Sequence, residues 1–384
     1  MRLHWIDALK GIGIMLVVFA HHSLPAALDT YIFSFHMPLF FFISGFLFDF
    51  GKYAGSAANF IKGRFRSLIV PYFAFAALTC LFYFLLDTGF QPGVPNIKFF
   101  EHIILLENSI LHGIYHIFYA LGPMISYNPP LWFLTCLFVT ELLFYGLAKK
   151  YYGEPKKLVL WITAAGVIGY LYSVYVPFRI PWNVDVALAA IVFYGAGNLF
   201  KILTEPETEL KADPRLKSDS EITERFSKVE KYLPVFAILL SFLYLGYLLK
   251  FPVDDKVNMN VLKYGSFFSF YILAFSGIFT FVYLFKKIGS SKVFEYYGRN
   301  SLIVLALHFP LKDVLTKLAA LSFGGEFESF YYNTAFALSL TIINLLLLVP
   351  VIFLINNYFP FLLGKKKNST ESKRLRICSR KPVN

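Results

Sequence analysis

The chain has 384 residues, 57% of them hydrophobic and 19% aromatic, with 16% charged, a net charge of +12 and a mean hydropathy of +0.59. A soluble domain of that composition would expose far too much apolar surface, so a soluble globular protein is excluded. The positive balance invites a nucleic-acid reading, but the charges sit in short clusters between apolar runs, the pattern left when each run crosses a bilayer.

Read along the chain, the runs predict an all-α integral membrane protein of about ten transmembrane helices, over 9–27, 31–49, 68–86, 131–148, 158–176, 183–200, 233–250, 264–285, 300–318 and 334–358. Each is near the ~20 residues that a spanning helix needs. The first run has no small-residue cleavage site after it and reads as a retained helix. The stretch 101–127 is apolar but carries Glu101, His102, Glu107, His112 and His116, and reads as an interfacial or re-entrant segment. The polar insert 201–232 reads as a charged surface helix linking spans six and seven, starting near Ser220 with Ile222, Phe226 and Val229 on one face. Residues 1–364 are expected to form one membrane domain and 365–384 a short basic tail. No internal repeat is evident, which disfavours transporters built from duplicated halves.

Charge sets the expected orientation. With ten spans, the loops alternate between two sides. One side keeps only Lys98, Arg179, Lys250, Lys256, Lys263, Lys312 and Lys317 of the 36 basic residues. The positive-inside rule assigns the other side, with both termini, to the cytoplasm. The basic tail there would add about 1 kcal/mol of attraction per charge to an anionic leaflet. Cys80, Cys136 and Cys378 have no paired spacing, so neither a disulfide framework nor a metal site is suggested. His112 and His116 are one turn apart but have no third ligand at suitable spacing, so no metal is expected.

Ionisable groups inside spans cost about 2.5–3.5 kcal/mol each at a helix centre, so each asks for a reason. The first helix has Asp7, Lys10 and His21. Lys10 and His21 fall about 20° apart on one helical face and roughly 16 Å apart in depth, with Asp7 about 40° from His21. A histidine deep in the membrane can accept and return a proton near neutral pH, which suits it for deprotonating an alcohol. A cation further along the same groove suits a phosphate-bearing cofactor. The same residues also admit a plain reading, with Lys10 as an interfacial anchor and His21 as a packing residue. His22, about 100° away, is expected to bond a neighbouring helix.

These residues resemble the opening of the membrane acyltransferase-3 family, which O-acylates cell-surface sugars: Asp7-x-x-Lys10-Gly-Ile…Val17-Val18-x-x-His21. The resemblance continues in Phe35-His36-Met37-Pro38 through Ser44-Gly45-Phe46, in Lys62-x-Arg64-x-Arg66…Pro71-Tyr72, in Leu131-Trp132-Phe133-Leu134, and in Gly298-Arg299-Asn300-Ser301-Leu302…His308. It implies transfer of an acyl group, usually acetyl, from cytoplasmic acyl-CoA to a sugar hydroxyl, in the plasma membrane of a bacterium. It implies His21 as the catalytic residue, and Lys10, Arg64 and Arg66 on the donor side, where Asp7, at the same mouth of the first helix, is expected to join them. His36, Trp132, Asn300, Ser301 and His308 are the expected substrate or supporting residues. Trp132 also reads as an interfacial belt residue, Ser44-Gly45 as a close helix contact, and His308 as a structural hydrogen bond. Two positions depart from the family: Lys10 often stands as arginine, and Ser67 occupies the place of a second arginine. The chain has no hydrolase-like domain after its last span, so any second transfer is expected to need a separate extracytoplasmic partner. The competing reading is an exporter of a polysaccharide or small molecule, its path lined by the same polar groups.

Overall fold

The computed structural model describes residues 3–53, 55–89, 110–121, 128–151, 153–204, 230–251, 253, 256–324 and 327–365. Most of the insert 201–232, the tail beyond Lys365, and 101–109 and 122–127 lie outside the described residues.

The described elements are helical: α1 His4–His21, α2 Ala26–Phe46, α3 Ala57–Arg64, α4 Val70–Gly89, α5 Ile110–Tyr119, α6 Trp132–Tyr151, α7 Pro155–Tyr175, α8 Val184–Thr204, α9 Leu233–Lys250, α10 Phe267–Ile288, α11 Lys292–Arg299, α12 Ser301–Phe323, α13 Phe327–Tyr331 and α14 Thr334–Tyr358. Helix starts follow local chemistry. Ser56, Ser266 and Asn333 accept hydrogen bonds from the first free N–H groups of α3, α10 and α14.

Among the described residues, nine helical segments are long and apolar enough to cross a membrane. The ninth of the ten expected spans, 300–318, is α12, a 23-residue helix that also carries Lys312, Asp313 and Lys317. Its charge is offset locally: Lys312 lies 2.8 Å from Asp313, which accepts a hydrogen bond of 2.5 Å from Tyr83 on α4. In the ambiguous stretch, α5 has ten residues, or about 15 Å, half of the ~30 Å hydrocarbon core.

Three boundaries differ from expectation. The first helix ends at His21, with Ser23 to Pro25 following it, so His21 closes the helix. The second starts five residues early, after Pro25, because Asp29 is paired with Lys256 at 2.5 Å and no longer ends the run. His36 therefore sits at the middle of α2. The third segment starts at Ala57, ahead of the expected 68, and passes through a π-helical turn, Phe65–Ile69, into α4. Pro71 explains the turn: it has no N–H for the Ser67 carbonyl, and its ring would crowd that carbonyl in a regular helix. Arg64 and Arg66 thus belong to a wound segment and not to a loop.

The core is formed by α2, α6 and α8, the most deeply packed of the spans, while α7 and α9 are peripheral. The outer face of α9 exposes Phe236, Leu239, Phe242 and Leu243, as lipid contact requires. Short α11 lies along the start of α1. There Ser290 donates to Glu295 at 2.6 Å, His4 Nδ1 is 2.9 Å from the same carboxylate, and Arg299 bridges Glu295 and Asp7. These partners, the Ser290 and His4 hydrogen bonds first, hold the Glu295 carboxyl at about 2, below its ordinary 4.5. A carboxyl lowered on folding adds stability that is complete above its unfolded value and lost as pH falls toward its folded one. The thermal stability advantage of wild type over Glu295→Gln in detergent is therefore expected to shrink between about pH 5 and pH 3. An equal gap at both pH values would contradict this network.

Candidate active site

One face of α1 runs Lys10, Ile14, Val17, His21, a spacing that keeps all four side chains in line. Two cavities open along that line. One, of about 230 Å³, is walled by His21, His36, Trp132, Asn258, Asn260 and Phe309 among others. The second, of about 260 Å³, has Lys10, Ser44, Arg64, Ser67, Glu141 and Ser301 in its wall. Leu305 of α12 lines both.

In the first cavity His21 is held by two contacts. Its Nδ1 is 2.7 Å from the Val17 carbonyl and 3.3 Å from Nε2 of His308. His308 is fully buried behind it, with its own Nδ1 at 2.9 and 3.0 Å from the Val304 and Leu305 carbonyls. A carbonyl only accepts, so each Nδ1 carries the proton in the neutral ring. Nε2 of His308 is then an acceptor for the His21 N–H, and Nε2 of His21 is left as a lone-pair base. His36 is arranged in the same way, with Nδ1 at 2.8 Å from the Ile32 carbonyl. Phe309 and Phe33 pack edge-on or tilted against His21 and limit its ring rotation.

The second cavity combines cations with one buried carboxylate. Arg64 Nε is 3.2 Å from Glu141 Oε2, and the guanidinium lies 5.5 Å from the ring centre of Phe60. Arg64 and Ser67 are one turn apart and share the wall. The family model for the acyltransferase-3 acyltransferase domain matches residues 3–363. The chain belongs to the acyltransferase-3 family. It is a membrane acyltransferase, transferring acyl groups other than aminoacyl groups. Neither the curated proteins nor the solved structures compared with it include a match.

In this acyltransferase the expected site residues separate into two groups. Lys10, Arg64 and Ser301 meet at one cavity, and His21, His36 and Trp132 at the other. Trp132 is only 5% exposed, so it is a wall residue and not an interfacial belt residue. Four others stand outside both walls. The Asp7 carboxylate faces Arg299 at 3.4 Å, although its helical angle places it near Lys10. Arg66 is exposed in the π turn and lines neither cavity. Asn300 Nδ2 donates to the Tyr296 carbonyl, and Asn300 Oδ1 accepts from Asn356, which seats α12 on α14. His308 reaches the first cavity only through His21. His22 is 2% exposed, and neither ring nitrogen has a hydrogen-bond partner among the described residues, contrary to the expected interhelical bond.

Two elements that build the cavity walls escaped the sequence reading. Glu141 lies within the apolar run 131–148, and an acid in such a run was the available signal. The other is the ion pair of Arg179 with Asp185 at 2.6 Å. Arg179 also donates to the Asn260 carbonyl, and neighbouring Asn183 donates to the Ala120 carbonyl and Thr135. Together they tie the Asn258–Asn260 wall to the start of α6. Trp182 and Asn183 hold left-handed backbone angles (φ 62° and 56°) there, a strained turn of the kind packing must enforce.

Glu141 is 3% exposed and Arg64 27%, so Arg64→Ala would strand a buried carboxylate. After allowance for the half-open arginine, a loss of about 2 kcal/mol is expected. Adding Glu141→Gln to Arg64→Ala should restore most of the thermal stability in detergent. If the double variant is no more stable than Arg64→Ala, the pair is not what holds this wall.

Proposed function

We propose that this acyltransferase moves an acyl group from acyl-CoA to a hydroxyl of a cell-surface polysaccharide, glycolipid or lipid-linked sugar. The observation that carries this reading is the pair of adjoining cavities on one α1 face, one cationic and one holding a bare imidazole nitrogen. Lys10 and Arg64 would hold the phosphates of the coenzyme, the arginine by its planar fork and the lysine as a point charge. Asp7 supports this end indirectly, through Arg299 and α11, and Arg66 stands outside it.

The acceptor hydroxyl would lie in the first cavity against His21 Nε2. As that nitrogen takes the proton, the hydroxyl oxygen forms a bond to the thioester carbonyl carbon. The carbon–sulfur bond then breaks, and the proton returns to the departing thiolate. The His21 imidazolium formed in passing gains from His308, whose Nε2 accepts the Nδ1–H. Trp132, His36 and the two asparagines offer the stacking face and hydrogen-bonding groups that a sugar ring uses.

By the positive-inside rule the Lys10 end and both termini face the cytoplasm, where acyl-CoA is made, and the acceptor enters from the other side. Residues 1–364 act as one membrane domain in this scheme, in a bacterial plasma membrane, with a separate extracytoplasmic transferase as the partner for any second transfer. The test is label transfer from radioactive acetyl-CoA in membranes that contain the native acceptor. Label in a glycan or lipid-linked fraction, absent from membranes without the protein, is expected. Absence of transfer from several acyl donors, with export of the polymer dependent on the protein, would replace this reading by the exporter.

A further inference from the structure

We propose that Leu305 sets the size and charge of the acyl group, selecting short uncharged chains, because it forms the partition between the two cavities. This inference rests on the acyl-transfer reading above.

The partition can be traced on four helices. On α1, Ile14 lines the cationic cavity and Val17 the histidine cavity. On α2 the change falls between Phe40 and Met37, and on α6 between Phe133 and Trp132. On α12 it falls within one residue, Leu305. Three helical residues rise about 4.5 Å, so the barrier is about one side chain thick. Every residue that makes it is apolar. Leu305 is 5% exposed, and its carbonyl accepts from His308 Nδ1 at 3.0 Å, which fixes it relative to the histidine pair.

A thioester held by its phosphates at Lys10 and Arg64 must bring its carbonyl carbon through this ring to reach a hydroxyl beside His21. The acyl tail goes with it. A methyl group passes beside a leucine at little cost, and each added methylene must displace packed side chains. A carboxylate-bearing acyl group would have to leave water for an apolar constriction with no partner in its wall. Acetyl is therefore the favoured cargo, and succinyl is disfavoured by charge as well as by length.

The experiment compares wild type with Leu305→Ala, Leu305→Val and Leu305→Phe in membranes matched for expression. Each receives radiolabelled acetyl-, butyryl-, hexanoyl- or succinyl-CoA. Wild type is expected to prefer acetyl over hexanoyl by at least about tenfold, the scale on which a few methylenes are discriminated. Leu305→Ala should reduce that ratio by about tenfold, and Leu305→Val by less. Leu305→Phe should slow acetyl transfer far more than it weakens desulfo-CoA binding, since Lys10 and Arg64 are untouched. The valine and phenylalanine variants keep the test decisive if the alanine variant fails to fold. Unchanged donor preferences in variants that still transfer acetyl would overturn the role of Leu305 alone. Efficient succinyl transfer by wild type would overturn the charge selection. Failure of wild type with all four donors would overturn the acyl-CoA reading itself and this inference with it.

Discussion

Membranes carrying His21→Ala are expected to transfer acyl label about 10²–10⁴ times more slowly than wild type, the usual worth of a positioned general base. The loss should fall on turnover, with KM for acyl-CoA nearly unchanged, because Lys10 and Arg64 lie in the other cavity. His308→Ala gives the companion result. It removes the acceptor 3.3 Å from His21 Nδ1 but leaves the Val17 carbonyl to hold the same proton. Its effect should be smaller, about tenfold, and likewise on turnover. Labelling by His21→Ala at the wild-type rate would remove His21 from the chemistry. An equal collapse in both single variants would mean that the two rings act as one unit.

Gly45→Ala is expected to destabilise the protein by about 3 kcal/mol or to prevent its folding, although alanine is the better helix former. A Cβ at Gly45 would lie 1.8 Å from the Tyr194 carbonyl oxygen, and one at Gly197 would lie 1.9 Å from that of Phe42. These are backbone contacts made reciprocally by α2 and α8, so neither neighbour can rotate away. The helices would have to separate where two of the most buried spans meet. Gly298 and Gly11 make the same kind of contact between α11 and α1, with Cβ positions 1.8 Å from the Asp7 oxygen and 1.9 Å from the Phe294 oxygen. Gly246 is the control. It lies in α9 with nothing within 4 Å of an added Cβ, so Gly246→Ala should stabilise by about 1 kcal/mol. Thermal unfolding in detergent measures both, and a Gly45→Ala protein as stable as wild type would refute the close contact.

The amino-acid sequence by itself determined the class of the protein and the position of nearly every membrane helix, because a spanning run is a local property of about 20 residues. It also singled out His21 and Lys10, since an ionisable group in an apolar run stands out without any knowledge of its neighbours, whereas Arg64 was marked only by the family resemblance. Ser44-Gly45 as a close contact was legible too, from residue size alone. Which neighbours the helix faces meet was not. Asp7 and Lys10 are three residues apart, yet Asp7 turns to Arg299 while Lys10 lines a cavity. That choice was made by α11, about 290 residues away in the chain. The pairing of His21 with His308, the ion pair of Arg64 with Glu141, and the shared wall at Leu305 were likewise decided only by tertiary structure. The physical reason is that lipid is as apolar as leucine, so hydrophobicity that places a helix in the membrane says little about which face it turns inward. Close packing and buried hydrogen bonds between helices far apart in sequence decide that.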